Sequence, residues 1–151
     1  MLLLTDKYWE DFAVGDKYHT GAVTVTETHM VLFAGLTGDY YPLHSNEEFA
    51  KTTPFGGRII HGPLTFCLAV GLVAQSGIFG NSIIAFLGCD KLSLPAPVRP
   101  GDTISVEVEV ASKRETSKKD RGVVTMNYVV KNAEGQCTMQ AVMNFLMKRK
   151  C

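Results

Sequence analysis

With 151 residues the chain is long enough for one substantial core and too short for two ordinary domains. Its 15 basic and 15 acidic side chains cancel. The bulk charge therefore offers no attraction to nucleic acid or to an anionic membrane, and any anionic ligand has to be held by local groups. The apolar start Met1-Leu2-Leu3-Leu4 is followed at once by Thr5, Asp6 and Lys7, far too short for a secretory apolar core, so a cytoplasmic location is expected. Cys67, Cys89, Cys137 and Cys151 show no close metal-ligand spacing and three lie in apolar runs, which predicts free, mostly buried thiols.

In chain order, Tyr18 to Val25 has strand-like composition, and Thr26 is placed to cap a helix from Glu27 to about Leu36 that Gly35 and Gly38 help to end. Asn46 is a candidate cap for a short helical turn, with Glu47 and Glu48 favourably placed near its N-terminus. Pro54, Gly56 and Gly57 break the chain again. From Gly62 to Gln75 the residues Leu64, Phe66, Cys67, Leu68, Val70, Leu72 and Val73 leave almost no polar face, the pattern of a buried helix. That run falls short of the roughly twenty residues a bilayer crossing needs, so no membrane span is expected.

Four strands follow, Ile83 to Leu94, Thr103 to Lys113, Val123 to Asn132 and Gln136 to Lys148. In the second, Ile104, Val106, Val108 and Val110 alternate with Ser105, Glu107 and Glu109, which gives one core face and one solvated face. A meander of this kind needs a cover for its apolar face, and the apolar helix is the candidate long enough to supply it. The expected fold class is α+β, an antiparallel sheet wrapped around one central helix as a single domain. One sheet leaves such a helix under-covered, so pairing with a second copy, a homodimer at least, is the expected assembly.

The stretch Thr37-Gly38-Asp39-Tyr40-Tyr41-Pro42-Leu43-His44 brings a carboxyl and an imidazole together just ahead of that apolar segment. On a continuous helix a separation of five places the two side chains about 140° apart around the axis, facing different ways. Pro42 disfavours that helix and predicts a bent loop instead. A carboxylate and an imidazole converging from such a loop can share a water, one group taking its proton while the other positions it.

Together with Gly57-Arg58-Ile59-Ile60-His61-Gly62 and the opening Phe12-Ala13-Val14-Gly15-Asp16, this motif resembles the MaoC-like, (R)-specific enoyl-CoA hydratase family of hotdog-fold proteins, over nearly the whole chain. The resemblance implies that Asp39 and His44 are the catalytic pair and that the Gly62 N–H is the oxyanion donor. It further implies hydration of a 2-enoyl thioester, or the reverse dehydration, with no separate cofactor because the CoA or acyl-carrier-protein thioester is itself the substrate. Tyr41 departs from the family's usual Asn before the motif proline, so orientation of the catalytic groups has to come through its hydroxyl or from elsewhere. The family also often has a polar residue further along the helix, and Leu68, Ala69 and Val70 supply none.

Such chemistry asks for a group to activate water, a proton for C2, and a place for negative charge on the thioester oxygen. Asp39 and His44 would serve the first two, and the start of the Gly62 helix the third, where unpaired N–H groups and the positive end of the helix dipole favour an anion. Phe66 and Leu64 would line an acyl tail lying along the helix. His61 is a candidate ligand contact or a hydrogen-bonded support for the loop. Arg58 is a candidate for a CoA phosphate or for a structural ion pair. Arg99 shares that ambiguity, and the basic cluster from Lys113 to Arg121 reads as a solvated hairpin diluted by Glu115 and Asp120. His19 and His29 have no evident partner, and the four histidines form no metal-ligand pattern. A hotdog thioesterase and a non-catalytic acyl-binding subunit are the alternatives.

Overall fold

The computed structural model describes residues 6–150; the apolar start and Cys151 lie outside that range. After a 3₁₀ turn at Trp9–Asp11 come β1 (Lys17–His19) and β2 (Val23–Thr24), then α1 (Glu27–Thr37), α2 (Pro42–Ser45), α3 (Glu47–Lys51) and α4 (Gly62–Gln75). The strands β3 (Ile83–Ser93), β4 (Thr103–Glu115), β5 (Arg121–Asn132) and β6 (Cys137–Lys148) complete the chain. The antiparallel sheet runs in the order β1-β4-β5-β6-β3, with β2 also pairing with β4.

The alternation expected on β4 is present: Ile104, Val106, Val108 and Val110 are buried while Ser105, Glu107 and Glu109 are half-buried. Met126, Tyr128 and Val130 of β5 and Met139, Met143 and Met147 of β6 extend the same apolar face. Leu64, Ala69 and Val73 of α4 join it in a single core. Each large aliphatic side chain fully removed from water in this way contributes about 1.5–3 kcal/mol before the entropy of ordering the chain is subtracted.

The single strand expected over Tyr18 to Val25 is two short ones. Between them the Thr20 hydroxyl accepts the Val106 N–H at 2.9 Å, while the Thr20 N–H donates to the Val106 carbonyl at 3.0 Å. A side chain thus takes a place that a backbone carbonyl would hold in a regular ladder. Helix α1 starts where Thr26 predicts, and its cap is completed by His29, whose Nδ1 accepts the Thr26 N–H at 3.0 Å. It ends at Gly38, which is left-handed at φ 78° and donates its N–H to Ala34 at 2.8 Å. Gly35 lies inside the helix and ends nothing.

Helix α4 has the predicted bounds, but the sheet covers one side of it. Leu64, Thr65, Ala69 and Val73 are buried, whereas Cys67 and Val70 face outward. This corrects the expectation for the cysteines: Cys67 is exposed on that uncovered face, and Cys89 and Cys137 are half-buried, all three as free thiols. Strand β3 forms one edge of the sheet, broken by three register shifts against β6, and leaves Ile84, Phe86, Leu87 and Leu92 open to solvent. Among the described residues no helix is long and apolar enough to cross a membrane.

Candidate active site

Immediately after the left-handed Gly38, Asp39 is fixed by its own neighbours. Its N–H donates to Thr37 Oγ1 at 3.2 Å, and its Oδ1 accepts the Tyr41 N–H at 3.2 Å, a local turn of the kind aspartate favours. Pro42 then occupies the first turn of α2, where its missing N–H has no cost and its fixed φ suits a helix start. His44 therefore sits on a one-turn helix where the sequence suggested a loop, and Asp39 precedes that helix. This break lets the two side chains face one another.

The His44 ring has a defined orientation. Its Nδ1 lies 2.8 Å from the Ile59 carbonyl, which can only accept, so Nδ1 carries the hydrogen and Nε2 is left with a lone pair. His61, 1% exposed, donates Nε2–H to the backbone carbonyl of Asp39 at 2.9 Å by the same argument. The two imidazoles stack with centroids 4.0 Å apart and planes inclined by 30°. The Phe33 ring packs on His61 with centroids 5.0 Å apart, and His61 Nδ1 is buried without a hydrogen-bond partner among the described residues.

One ligand atom each from Asp39, His44 and His61 lie within 4.8 Å of one another, a convergence the spacing of four histidines did not suggest. Two of the four ring nitrogens already serve backbone carbonyls. The set suits proton transfer better than tetrahedral ligation.

Beside His44 opens a cavity of about 400 Å³. Gly62 and Thr65 of α4 line it, together with Phe55, Ile59 and Ile60 from the preceding loop and residues 94–98 after β3. Gly62 is the first residue of α4, and its N–H has no hydrogen-bond partner among the described residues. Pro63 has no N–H at all, so the Gly62 amide is the foremost donor at this helix start. The Leu94 side chain comes so close that a Cβ on residue 62 would stand 2.5 Å from its Cδ1. Glycine, having no Cβ, is what lets Leu94 pack so close to the start of α4.

The other residues singled out from sequence divide. Tyr41 is 58% exposed; its hydroxyl makes no hydrogen bond among the described residues, and its ring packs edge-on against His44 at 6.5 Å and Phe49 at 6.3 Å. It orients the site by its N–H to Asp39 and by this packing. Leu64 is buried in the core and Phe66 packs against it, and neither lines the cavity. Phe55, Ile59 and residues 94–98 take that place. Arg58 is engaged by Glu27 and, at 2.9 Å, by Glu47, so it ties α1, α3 and the loop before α4 together. Its hydrogen bond to Glu47 holds that carboxyl below its ordinary value, and both acids push the guanidinium upward. Arg99 likewise donates to the Phe55 carbonyl. Thr65 escaped the sequence reading. Its signal was available: it is the one hydroxyl in the run Gly62–Gln75, three residues past Gly62 and so on the same helix face.

The sheet wrapped on α4 is a hotdog fold, shared with a Mycobacterium tuberculosis protein described as having a double hotdogfold, at 16% identity and a TM-score of 0.83 over 95% of this chain and 44% of that one. Residues 11–133 match the family model of the MaoC like domain, and the chain belongs to that family. It is 37% identical over 108 residues to an (R)-specific enoyl-CoA hydratase of Rhodospirillum rubrum, covering 68% of this chain and 69% of that protein. It is also 37% identical over 115 residues to Protein MaoC of Klebsiella aerogenes, covering 76% of this chain but only 33% of that longer protein. A monoamine oxidase regulatory protein from Archaeoglobus fulgius superimposes with a TM-score of 0.93 at 36% identity, covering 99% of this chain and all of the other.

Proposed function

We propose that the protein is an (R)-specific 2-enoyl-thioester hydratase, running in reverse as a 3-hydroxyacyl-thioester dehydratase. The observation that carries this reading is the convergence of Asp39 with His44, whose ring lines a largely apolar cavity that Gly62, with its free N–H, also lines. In hydration, Asp39 and His44 hold a water at C3 of the enoyl group, one of them removing its proton as the C3–O bond forms. The alkene electrons shift toward the thioester carbonyl, whose oxygen gains negative charge beside the Gly62 amide. The enolate then collapses as C2 takes a proton from whichever group is protonated. Each atom and charge is accounted for without a further cofactor, because CoA or an acyl carrier protein arrives with the substrate. Similarity to a Rhodospirillum rubrum protein named for this activity supports the same reading, including its stereochemistry.

Two copies make the natural assembly. Ile84, Phe86, Leu87 and Leu92 form an apolar edge on β3, and Cys67 and Val70 lie on the uncovered side of α4. An antiparallel partner at that edge would satisfy the unpaired backbone and cover both apolar surfaces at once.

The test follows the loss of enoyl absorbance of 2-enoyl-CoA substrates of several chain lengths, with free thiol monitored in parallel. Asp39→Asn and His44→Ala should each reduce hydration about 10²–10⁴-fold in a protein that remains folded. Thiol release without hydration would point to thioester hydrolysis. Binding without turnover would point to an acyl-binding subunit.

A further inference from the structure

The cavity at His44 and Gly62 is lined by apolar side chains apart from the His44 imidazole and one hydroxyl, that of Thr65. Thr65 is 2% exposed overall, yet it lines that cavity and makes no side-chain hydrogen bond among the described residues. Hydroxyls in helices commonly satisfy themselves on the carbonyl four residues back, as the exposed Thr37 does on Phe33 at 2.7 Å. For Thr65 that carbonyl belongs to His61, where the Thr65 N–H already donates at 3.2 Å while the hydroxyl does not. Nor is its oxygen among the fully enclosed unpartnered atoms, which places its opening on the cavity side. A hydroxyl with no partner in the protein that opens on a cavity otherwise walled by Phe55, Ile59, Ile60 and Leu94 is left to bond whatever occupies that cavity.

We propose that Thr65 is a specificity-determining residue that hydrogen-bonds a neutral polar group, a hydroxyl or carbonyl, on the acyl chain of the substrate. This rests on the reading of the cavity as an acyl-thioester site. The location of the polar group follows from helix geometry. Gly62 and Thr65 share a face, and three residues advance about 4.5 Å along the axis. With the thioester oxygen at the Gly62 amide, the Thr65 hydroxyl stands alongside the carbons just past the reacting C2–C3 pair. A carboxylate there would be desolvated without a cation, since Arg58 and Arg99 are both engaged elsewhere. A neutral group bears no such cost. A purely apolar chain leaves the hydroxyl unpaired, which is how a site built around one hydrogen bond discriminates against ligands that lack it.

The test uses saturated acyl-CoA ligands that cannot react, so it reads binding without catalysis. Dissociation constants of 4-hydroxybutanoyl-CoA against pentanoyl-CoA, and of 5-hydroxypentanoyl-CoA against hexanoyl-CoA, are measured by calorimetry on the wild type, Thr65→Val and Thr65→Ser. Within each pair a hydroxyl replaces a terminal methyl of similar size. Valine keeps the shape of Thr65 without its hydroxyl, and serine keeps the hydroxyl. The expected result, in at least one pair, is a preference for the hydroxylated ligand that falls about tenfold in Thr65→Val and stays within threefold of wild type in Thr65→Ser. Equal ratios in the wild type and Thr65→Val, with all four ligands bound, overturn the inference. Hydration of crotonyl-CoA by the wild type, measured alongside, then shows whether the hydratase reading stands without it. If no acyl-CoA binds the wild type, the inference falls together with the acyl-thioester reading.

Discussion

Substituting Gly62 with alanine separates the role of this residue in the fold from its role in the site. Its backbone is outside the left-handed region, so alanine is conformationally allowed. The new Cβ would lie 2.5 Å from Leu94 Cδ1 and 3.9 Å from its Cγ, so one methyl must retreat by about 1 Å to restore ordinary contact. Leu94 is 46% exposed and free to do so. The cost is offset in part by alanine's greater helix propensity, so stability should stay within about 1 kcal/mol and the unfolding temperature within about 4 °C. Activity faces a different balance. The methyl crowds the approach to the foremost amide of α4, and the displaced Leu94 moves within the wall of the cavity. Full loss of one oxyanion donor costs about 3–4 kcal/mol in the transition state, and partial loss through crowding should lower kcat/KM for 2-enoyl-CoA hydration about 100-fold. Initial hydration rates and a thermal melt on the same preparation decide the matter. Wild-type activity would refute the oxyanion assignment, and a collapsed melting temperature would show that the glycine serves packing.

The Glu47 carboxyl is held below its ordinary 4.5 by the hydrogen bond from Arg58, so the ion pair stabilises the fold above that value and its contribution is lost as pH falls through the lowered one. The stability advantage of the wild type over Glu47→Gln should therefore be present at about pH 7 and close under acid, as thermal melts across that range will show. At Gly122, a Cβ would stand 2.6–2.8 Å from the Trp9 indole, which is pinned by its N–H to the Val123 carbonyl at 3.0 Å. Gly122→Ala should cost about 1–3 kcal/mol and red-shift the fluorescence of the single tryptophan, and an unchanged spectrum and melt would refute the packing argument. On the β3 edge, Phe86→Lys combined with Leu87→Lys should convert the proposed dimer to a folded monomer in sedimentation velocity, and an unaltered sedimentation coefficient would refute this edge as its interface.

The elements most legible in the sequence were those whose ends are set by local chemistry. Thr26 and Asn46 mark helix starts because capping is decided within a few residues, and Asn46 Oδ1 indeed accepts the Phe49 N–H at 3.0 Å. β4 was legible because one face meets the core and the other meets water, which writes a two-residue period into the chain. The break between β1 and β2 was hidden, since it depends on the Thr20 hydroxyl meeting Val106, a residue 86 positions away. The cavity was hidden for the same reason: residues 94–98 and Phe55 reach it only through tertiary packing, whereas Phe66, one turn past Gly62, packs against the core instead. Arg58 was ambiguous because a guanidinium suits a phosphate and a carboxylate equally well, and only the positions of Glu27 and Glu47 decide.

The run from Arg58 to Gly62 explains how a carboxyl and an imidazole on a mostly exposed segment are held in register. Arg58 ties the run to α1 and α3; the Ile59 carbonyl orients His44; the Ile60 N–H anchors to the Val98 carbonyl at 2.8 Å; His61 holds the Asp39 carbonyl; and Gly62 presents its free amide. Five successive residues thus each fix a different part of the site, so the second motif assembles what the first supplies. His61 is then a positioning residue, acting through the backbone of Asp39 and the face of the His44 ring. Replacing it with leucine leaves the Asp39 carbonyl without its donor, a loss of about 1–3 kcal/mol that should appear in kcat more than in KM, because His61 does not line the cavity. His61→Gln keeps a donor of similar reach and should recover part of the rate. Equal losses in both variants would show that the ring's packing on His44, and not the hydrogen bond, sets the geometry.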